Sequence, residues 1–314
     1  MGMNEAKYRA AERRYWALEG VAPAELWLDL PVTGTRVRVQ IVGDGPTVVF
    51  VHGVNNSGTS WGPLAARMPG FRCLLLDRPG CGLSERLTTR FDDVEAFVPF
   101  AEAMIVEVLD ALDLETAHVV ATSLGGYHAL RTAAAHPERV RRVVEFSFPI
   151  GAPIGDTPWV MRLAGVRGLA RLMARIPVND RMVRSMLAQA GLRQAIDHGQ
   201  VSPEAIDWFR ALMNHTDTLR NDIDAAPPIL HPIRGMNDSL LLSDDVLGRI
   251  RAPMLFLWGA DDPFGGQTVA REFVPKIAGA ELQLMPDAGH APWMDDPVRA
   301  AVATAEFLGE SAEP

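Results

Sequence analysis

Apolar and polar positions change rhythm several times along this 314-residue chain. Residues 4–18 carry the spacing of a helix. The runs "AELWLDL", "TRVRVQIV" and "TVVFVHG" then read as strands, and the turn-forming pieces "VTGT" and "GDGP" between them predict hairpins. After residue 60, short buried strands alternate with helices. "FRCLLLD" precedes the helical stretch "VEAFVPFAEAMIVEVLDALDL", and "AHVVA", "GGYHALRTAAAH" and "VRRVVEFSF" continue the series. Alternation of this kind predicts crossover units and a parallel sheet covered on both faces.

From about Gly151 to about Leu240 the rhythm breaks into helices and loops rich in Met, Arg and Pro. One helix is well marked there: Ser202 can cap it and Pro203 suits its first turn, ahead of "EAIDWFRALM". The sheet rhythm resumes with "APMLFLWG", a helix, "AELQLMP" and a final helix near residues 296–308. The expected organisation is a helical extension over 1–24, an α/β core over 25–150 and 241–314, and a helical cap inserted over 151–240. No internal repeat or low-complexity segment interrupts it.

Composition narrows the classes. Apolar residues make up 48% and charged residues 22%, ordinary for a globular protein. A formal charge of −9 argues against a nucleic-acid surface. The arginines of "RGLARLMARIP" are interrupted by apolar residues and read as a solvated helix face. Two cysteines, Cys73 and Cys81, make neither a disulfide framework nor a metal site. The polar start "MGMNEAKYRAAERRYW" carries no signal-peptide core, Ala6 breaks the myristoylation pattern, and no apolar run has membrane-spanning length. A cytoplasmic location without membrane attachment is the expectation. A homodimer is compatible with all of this.

Chemistry concentrates at "HVVATSLGGYHAL", residues 118–130. A strand ends there at a lone Ser123, and two glycines open a helix. In a parallel sheet, ligands meet the protein outside the carboxyl ends of the strands. A serine on a tight strand-to-helix turn at that edge has its hydroxyl pushed out, and such a turn needs small neighbours, here Ala121 and Gly125. The following helix directs its N-terminal amides at the site, and the N–H of Leu124 can face a developing oxyanion. The plainer alternative is a serine N-cap.

The stretch Ala121-Thr122-Ser123-Leu124-Gly125 resembles the G-x-S-x-G nucleophile elbow of the α/β-hydrolase superfamily, with Ala in place of the first Gly. The resemblance implies an α/β-hydrolase fold and a base and an acid that follow in chain order, each just past a later strand. His290 in "DAGHAPW" is the base candidate, since it alone of the eight histidines has that placement. The acid is Asp261 or Asp262, and Asp262 fits the family pattern W-G-x-x-D. His52-Gly53 resembles the family's H-G pair, which implies the N–H of Val54 as second oxyanion donor. It leaves Gly53, Asn55 and Asn56 as substrate-facing candidates and gives His52 a structural role. "DRPGCGLSE" resembles the family's D-x-x-G-x-G-x-S stretch, which implies structural roles for Asp77, Arg78, Gly80, Gly82 and Ser84. Cys81 is a rival nucleophile, but its loop lacks the strand-to-helix elbow.

The implied reaction is two-step acyl transfer by Ser123, His290 and Asp262, with no metal and no cofactor. The expected substrate is a small to medium apolar ester-like molecule. C–C hydrolysis of ring-fission diketones is the runner-up activity, and a non-catalytic small-ligand receptor of the same fold is the reading from a different class.

Overall fold

The computed structural model describes residues 3–87, 89, 91–154, 166–231 and 235–309. Its frame is an eight-stranded sheet in the order β1-β2-β4-β3-β5-β6-β9-β10. The strands are β1 (Ala24–Leu30), β2 (Thr35–Val42), β3 (Thr47–Val51), β4 (Arg72–Leu76), β5 (Ala117–Thr122), β6 (Val140–Phe146), β9 (Met254–Gly259) and β10 (Glu281–Met285). β1 and β2 form the expected antiparallel hairpin. β4 pairs antiparallel with β2, and every pairing from β4 to β10 is parallel. The central strands are largely buried because helices cover both faces of a parallel sheet, although β5 carries His118 and β6 carries Arg141, Arg142 and Glu145. Every residue of β5 and of β9 is buried.

The second expected hairpin does not form. β4 lies between β2 and β3, and the "GDGP" segment is a crossing loop. Gly43 and Gly45 both have positive φ, and a Cβ on either would sit within 2.4 Å of the backbone carbonyls of Phe71 or Gly70. The turn signal there marks a close passage of chain over chain. "TVVFV" is apolar on both faces, so it is stable only as an interior strand with parallel neighbours.

Helices α1 (Glu5–Leu18), α2 (Val94–Asp110) and α3 (Leu124–Ala135) follow the predicted pattern. On one face of the sheet, Phe97, Ala101 and Met104 of α2 pack with Ala129, Leu130 and Ala133 of α3. The opposite face is filled by an aromatic group in which Trp61 and Trp293 stack at 4.1 Å and both contact Phe146. Between β6 and β9 the described residues carry the helices α4 (Arg167–Met173), α5 (Asp180–Leu187), α6 (Arg193–Asp197), α7 (Pro203–His215) and α8 (Thr218–Asp224), while residues 155–165 and 232–234 of the expected cap lie outside the described residues. Ser202 caps α7 by accepting the Ala205 N–H. The two-residue strands β7 (Leu230–His231) and β8 (Gly235–Met236) pair antiparallel in this segment. Helices α9 (Gln267–Phe273), α10 (Pro292–Asp295) and α11 (Pro297–Gly309) complete the chain. Among the described residues, no helix is long and apolar enough to cross a membrane.

The N-terminal helix is integral to the fold. Tyr15 stacks on Trp208 of α7 at 5.2 Å, and the Asn4 N–H donates to the His215 carbonyl. Beneath α1, the fully buried Arg38 donates to both oxygens of Glu12 at 2.7 and 2.9 Å and to Asp77 at 2.8 Å. Asp77 also accepts the N–H groups of Gly58 and Leu83, so one carboxylate holds two loops at the edge of the sheet. A buried charge without its partner is costly, because the low-dielectric interior does not replace lost hydration. Arg38→Met therefore strands both carboxylates. It is expected to lower the unfolding free energy by about 3–5 kcal/mol in a urea titration, with the same activity per folded molecule.

Candidate active site

The site is assembled at the carboxyl ends of β3, β5, β6, β9 and β10. Ser123 follows β5 directly and has φ 57° and ψ −119°, a conformation that L-residues adopt only under constraint. Two close approaches impose it. A Cβ on Gly125 would lie 2.1 Å from the Val51 carbonyl, and one on Gly53 would lie 2.9 Å from Ser123 Cβ and 3.3 Å from Ser123 Oγ. The Ser123 carbonyl accepts the N–H groups of Tyr127 and Ile150. The serine occupies the N-cap position of α3, yet its side chain makes no capping bond, which sets aside the plainer reading of this residue. Its hydroxyl is left for other work. Ala121 is fully buried between β3 and β6, where its methyl group is accommodated.

The candidate acid and the candidate base meet. Asp262 Oδ2 lies 2.8 Å from His290 Nδ1. The carboxylate is oriented by the N–H of Phe148 on Oδ2 at 3.0 Å and by that of Phe264 on Oδ1 at 2.9 Å. Asp262 is buried, whereas Asp261 is exposed, so the structure places Asp262 at the imidazole. The Phe264 ring meets the imidazole edge-on at 4.5 Å. No hydrogen bond joins the Ser123 hydroxyl to His290 among the described contacts. The two lie on loops that neighbouring strands bring to the same edge.

Other bonds lace these loops. Ser147, at the end of β6, has φ 60°; its hydroxyl donates to the Gly289 carbonyl and accepts the Gly259 N–H, both at 3.1 Å. Asp295 accepts the Gly289 N–H at 3.0 Å. The N–H of His290 itself donates to the Ala190 carbonyl in the helical segment between β6 and β9. Nothing in the sequence pattern singled out Ser147 or Asp295, since each acts through a partner far along the chain or around a loop.

His52 is fully buried, and burial together with the Arg78 guanidinium holds its imidazole well below the usual range. Its Nε2 accepts the Arg78 N–H, so Nδ1 carries the proton and donates to the Gly53 carbonyl. This is a structural histidine, as expected. His128 is likewise buried and depressed to about 3 by burial. Burial and the Asp222 carboxylate push the Cys81 thiol well up, so it is a poor nucleophile. Val54 is exposed beside Gly53, and Leu124 is buried in the first turn of α3. Asn56 Oδ1 accepts the Ser57 N–H, while Asn55, at φ 52°, has a buried Oδ1 with no hydrogen-bond partner among the described residues.

Burial raises the Asp295 carboxyl to about 6, with the Gly289 N–H only partly opposing. A raised carboxyl favours folding most when protonated, so its contribution falls as pH rises from about 4 through about 6. Asp295→Asn keeps an acceptor for Gly289. Its melting temperature should match the parent protein near pH 4 and exceed it at pH 7.5; equal melting at both would reject the assignment.

A model of the Alpha/beta hydrolase family matches residues 48–304 of this chain. A 2-hydroxy-6-oxononadienedioate/2-hydroxy-6-oxononatrienedioate hydrolase of Cupriavidus pinatubonensis is 28% identical over 270 residues, covering 83% of this chain and 86% of the relative. Among solved structures, the carboxylesterase CesB of Bacillus subtilis superposes with a TM-score of 0.72 at 21% identity, covering 98% of this chain and 99% of the other. A 2-hydroxy-6-oxo-6-phenylhexa-2,4-dienoate hydrolase of Rhodococcus reaches 0.73 at 18% identity, over 92% of this chain and all of the other.

Proposed function

The chain belongs to the alpha/beta hydrolase family and is a hydrolase, and on that footing we propose that it cleaves a carboxylic ester or related acyl bond of a small to medium apolar substrate through Ser123, His290 and Asp262. The observation that carries the reading is the 2.8 Å contact of Asp262 with His290 Nδ1, set beside a serine whose backbone is forced into the elbow conformation. Asp262 holds the imidazole with Nδ1–H toward the carboxylate, which leaves Nε2 as the base. The reading requires the Ser123 hydroxyl to reach Nε2, a contact of the kind that is often long without substrate and tightens when substrate is bound.

Ser123 Oγ attacks the carbonyl carbon as His290 takes its proton. The negative oxygen is met by the N–H groups of Leu124 and Val54. His290 then protonates the leaving group, and a water deprotonated by the same imidazole cleaves the acyl-enzyme. General base catalysis contributes about 10²–10⁴-fold and one oxyanion donor about 10²–10³-fold. The insertion between β6 and β9 serves as the cap that shapes the acyl pocket, and Gly53, Asn55 and Asn56 face the substrate. No cofactor enters this chemistry.

A second reading is C–C bond hydrolysis, the activity that the Cupriavidus and Rhodococcus names describe. It uses the same serine, base and acid. Against it, a dienoate substrate brings a carboxylate that needs a cation. Arg78, the guanidinium beside the Gly53 loop, is taken up by the His52 and Gly53 carbonyls and by Asp222.

A panel of p-nitrophenyl esters of rising chain length, run beside a ring-fission dienoate, decides between the readings; turnover of the dienoate at a kcat/KM above the best ester would overturn the first. Ser123→Ala should abolish ester turnover and labelling by a fluorophosphonate. His290→Ala is expected to lose about 10² or more in kcat with an unchanged melting temperature. Asp262→Asn should cost far more activity than Asp261→Asn, and the reverse order would exchange the two assignments.

A further inference from the structure

We propose that Arg78 and Asp222 form a positioning pair that aims the Val54 N–H at the oxyanion, so that the helical segment between β6 and β9 completes the site with a carboxylate of its own. This inference rests on the reading of Ser123 as nucleophile and Val54 as donor.

The direction of the Val54 N–H is set by the peptide that joins it to Gly53. No peptide bond among the described residues is cis. The Gly53 carbonyl and the Val54 N–H therefore point to opposite sides of one rigid plane. Fixing the carbonyl fixes the N–H. The Gly53 carbonyl receives two donors, Arg78 Nη2 at 2.9 Å and His52 Nδ1 at 2.7 Å. Arg78 Nε donates at 2.9 Å to the preceding carbonyl, that of His52, and the Arg78 N–H takes the lone pair of His52 Nε2. Arg78 thus holds two successive carbonyls and sets the tautomer of the imidazole that helps hold the second. With its carbonyl turned to Arg78, the peptide turns its N–H away from that side, and Gly53 lies directly against Ser123.

Asp222 lies on α8 in the inserted segment, and its side chain is 5% exposed. Its Oδ1 sits 3.5 Å from Arg78 Nη2 and 3.6 Å from Cys81 Sγ. Its Oδ2 accepts the N–H of Asn55. The next amide after Val54 is thereby drawn away to the carboxylate, and the left-handed backbone of Asn55 makes that divergence possible. Of two successive N–H groups, one is bound by the insertion and the other is left to the substrate. Two further bonds seat α8 on the loop after β4, which carries Arg78: Thr218 Oγ1 accepts the Gly82 N–H at 2.9 Å, and Asn221 Nδ2 donates to the Pro79 carbonyl at 3.1 Å. The oxyanion peptide therefore keeps its aim only while α8 is seated. Arg78 and Asp222 do not touch the reacting atoms; they act through the peptide that does.

The test separates aim from mere stability. Wild type, Asp222→Asn, Arg78→Met and the double variant are assayed with p-nitrophenyl butyrate and with an alkyl trifluoromethyl ketone, whose tetrahedral adduct carries the oxyanion. Asp222→Asn, which keeps an acceptor for Asn55 but loses the charge facing Arg78, should lower kcat about tenfold with KM within about two-fold. Arg78→Met should lower kcat about 10²-fold, toward the loss of one oxyanion donor. Ketone affinity should fall in parallel with kcat in both. The double variant should lose no more than Arg78→Met alone, because both act on one peptide. Arg86→Gln, which breaks the ion pair to Asp224 on the same helix, should leave kcat and ketone affinity unchanged. If Asp222→Asn loses melting temperature yet keeps wild-type kcat and ketone affinity, the pair is only structural and the inference fails. Additive losses in the double variant would also overturn it. If Arg78→Met does not fold, Asp222→Asn alone carries the decision. Ester turnover that survives Ser123→Ala would instead remove the nucleophile reading, and this inference with it; loss of turnover in Ser123→Ala with a silent Asp222→Asn rejects the inference alone.

Discussion

The left-handed backbone of Ser123 is the constraint around which the site is built. A non-glycine residue held there costs about 1–3 kcal/mol, so the surroundings must over-determine it. They do so on three sides. β5 is pinned between β3 and β6, the Gly125 backbone presses on the Val51 carbonyl, and the Ser123 carbonyl is bonded by Tyr127 and Ile150. Relaxing this turn would pull the hydroxyl back into the sheet and away from every other group discussed above.

A parallel sheet makes such convergence economical in chain. Each strand delivers its following loop to the same edge, so residues far apart in sequence become neighbours without long-range threading. Ser147 shows how close the register must be. One hydroxyl touches both the end of β9 and the Gly289 carbonyl, and thereby fixes the spacing of the acid and base loops. On the other side, Asp77 and Arg38 tie the β4 loop, α1 and the Gly58 loop together with buried charges. These charges stabilise one arrangement strongly because any other leaves a carboxylate unpaired in the interior.

The insertion touches this framework at the His290 N–H through Ala190, at the loop after β3 through Asp222, and at the loop after β4 through Thr218, Asn221 and Asp222. One inserted segment is thus bonded to both the His290 loop and the proposed oxyanion loop. The same framework superposes on a carboxylesterase and on a 2-hydroxy-6-oxo-6-phenylhexa-2,4-dienoate hydrolase, as expected of a fold that hosts many activities.

Much of this was legible in residue order. The alternation of short apolar runs with helical spacing required a parallel sheet, and the serine between an apolar strand and two glycines marked the elbow. The W-G-x-x-D and G-H-A-P pieces fell just past later strands, where the resemblance to the α/β-hydrolase superfamily implies an acid and a base. These features are local: propensity, period and turn chemistry act within a few residues. What the order of residues left open was decided by contact across the chain. "GDGP" had the composition of a hairpin, yet β4 came between β2 and β3 because a strand apolar on both faces, such as β3, needs a partner on each edge and cover on each face. Asp261 and Asp262 are chemically equal until burial and the N–H groups of Phe148 and Phe264 select one. Ser147, Asp295 and Asp222 look like ordinary polar residues in sequence. Their roles arise from partners on other loops or, for Asp295, from burial within its own, and only the folded chain specifies which donor faces which acceptor.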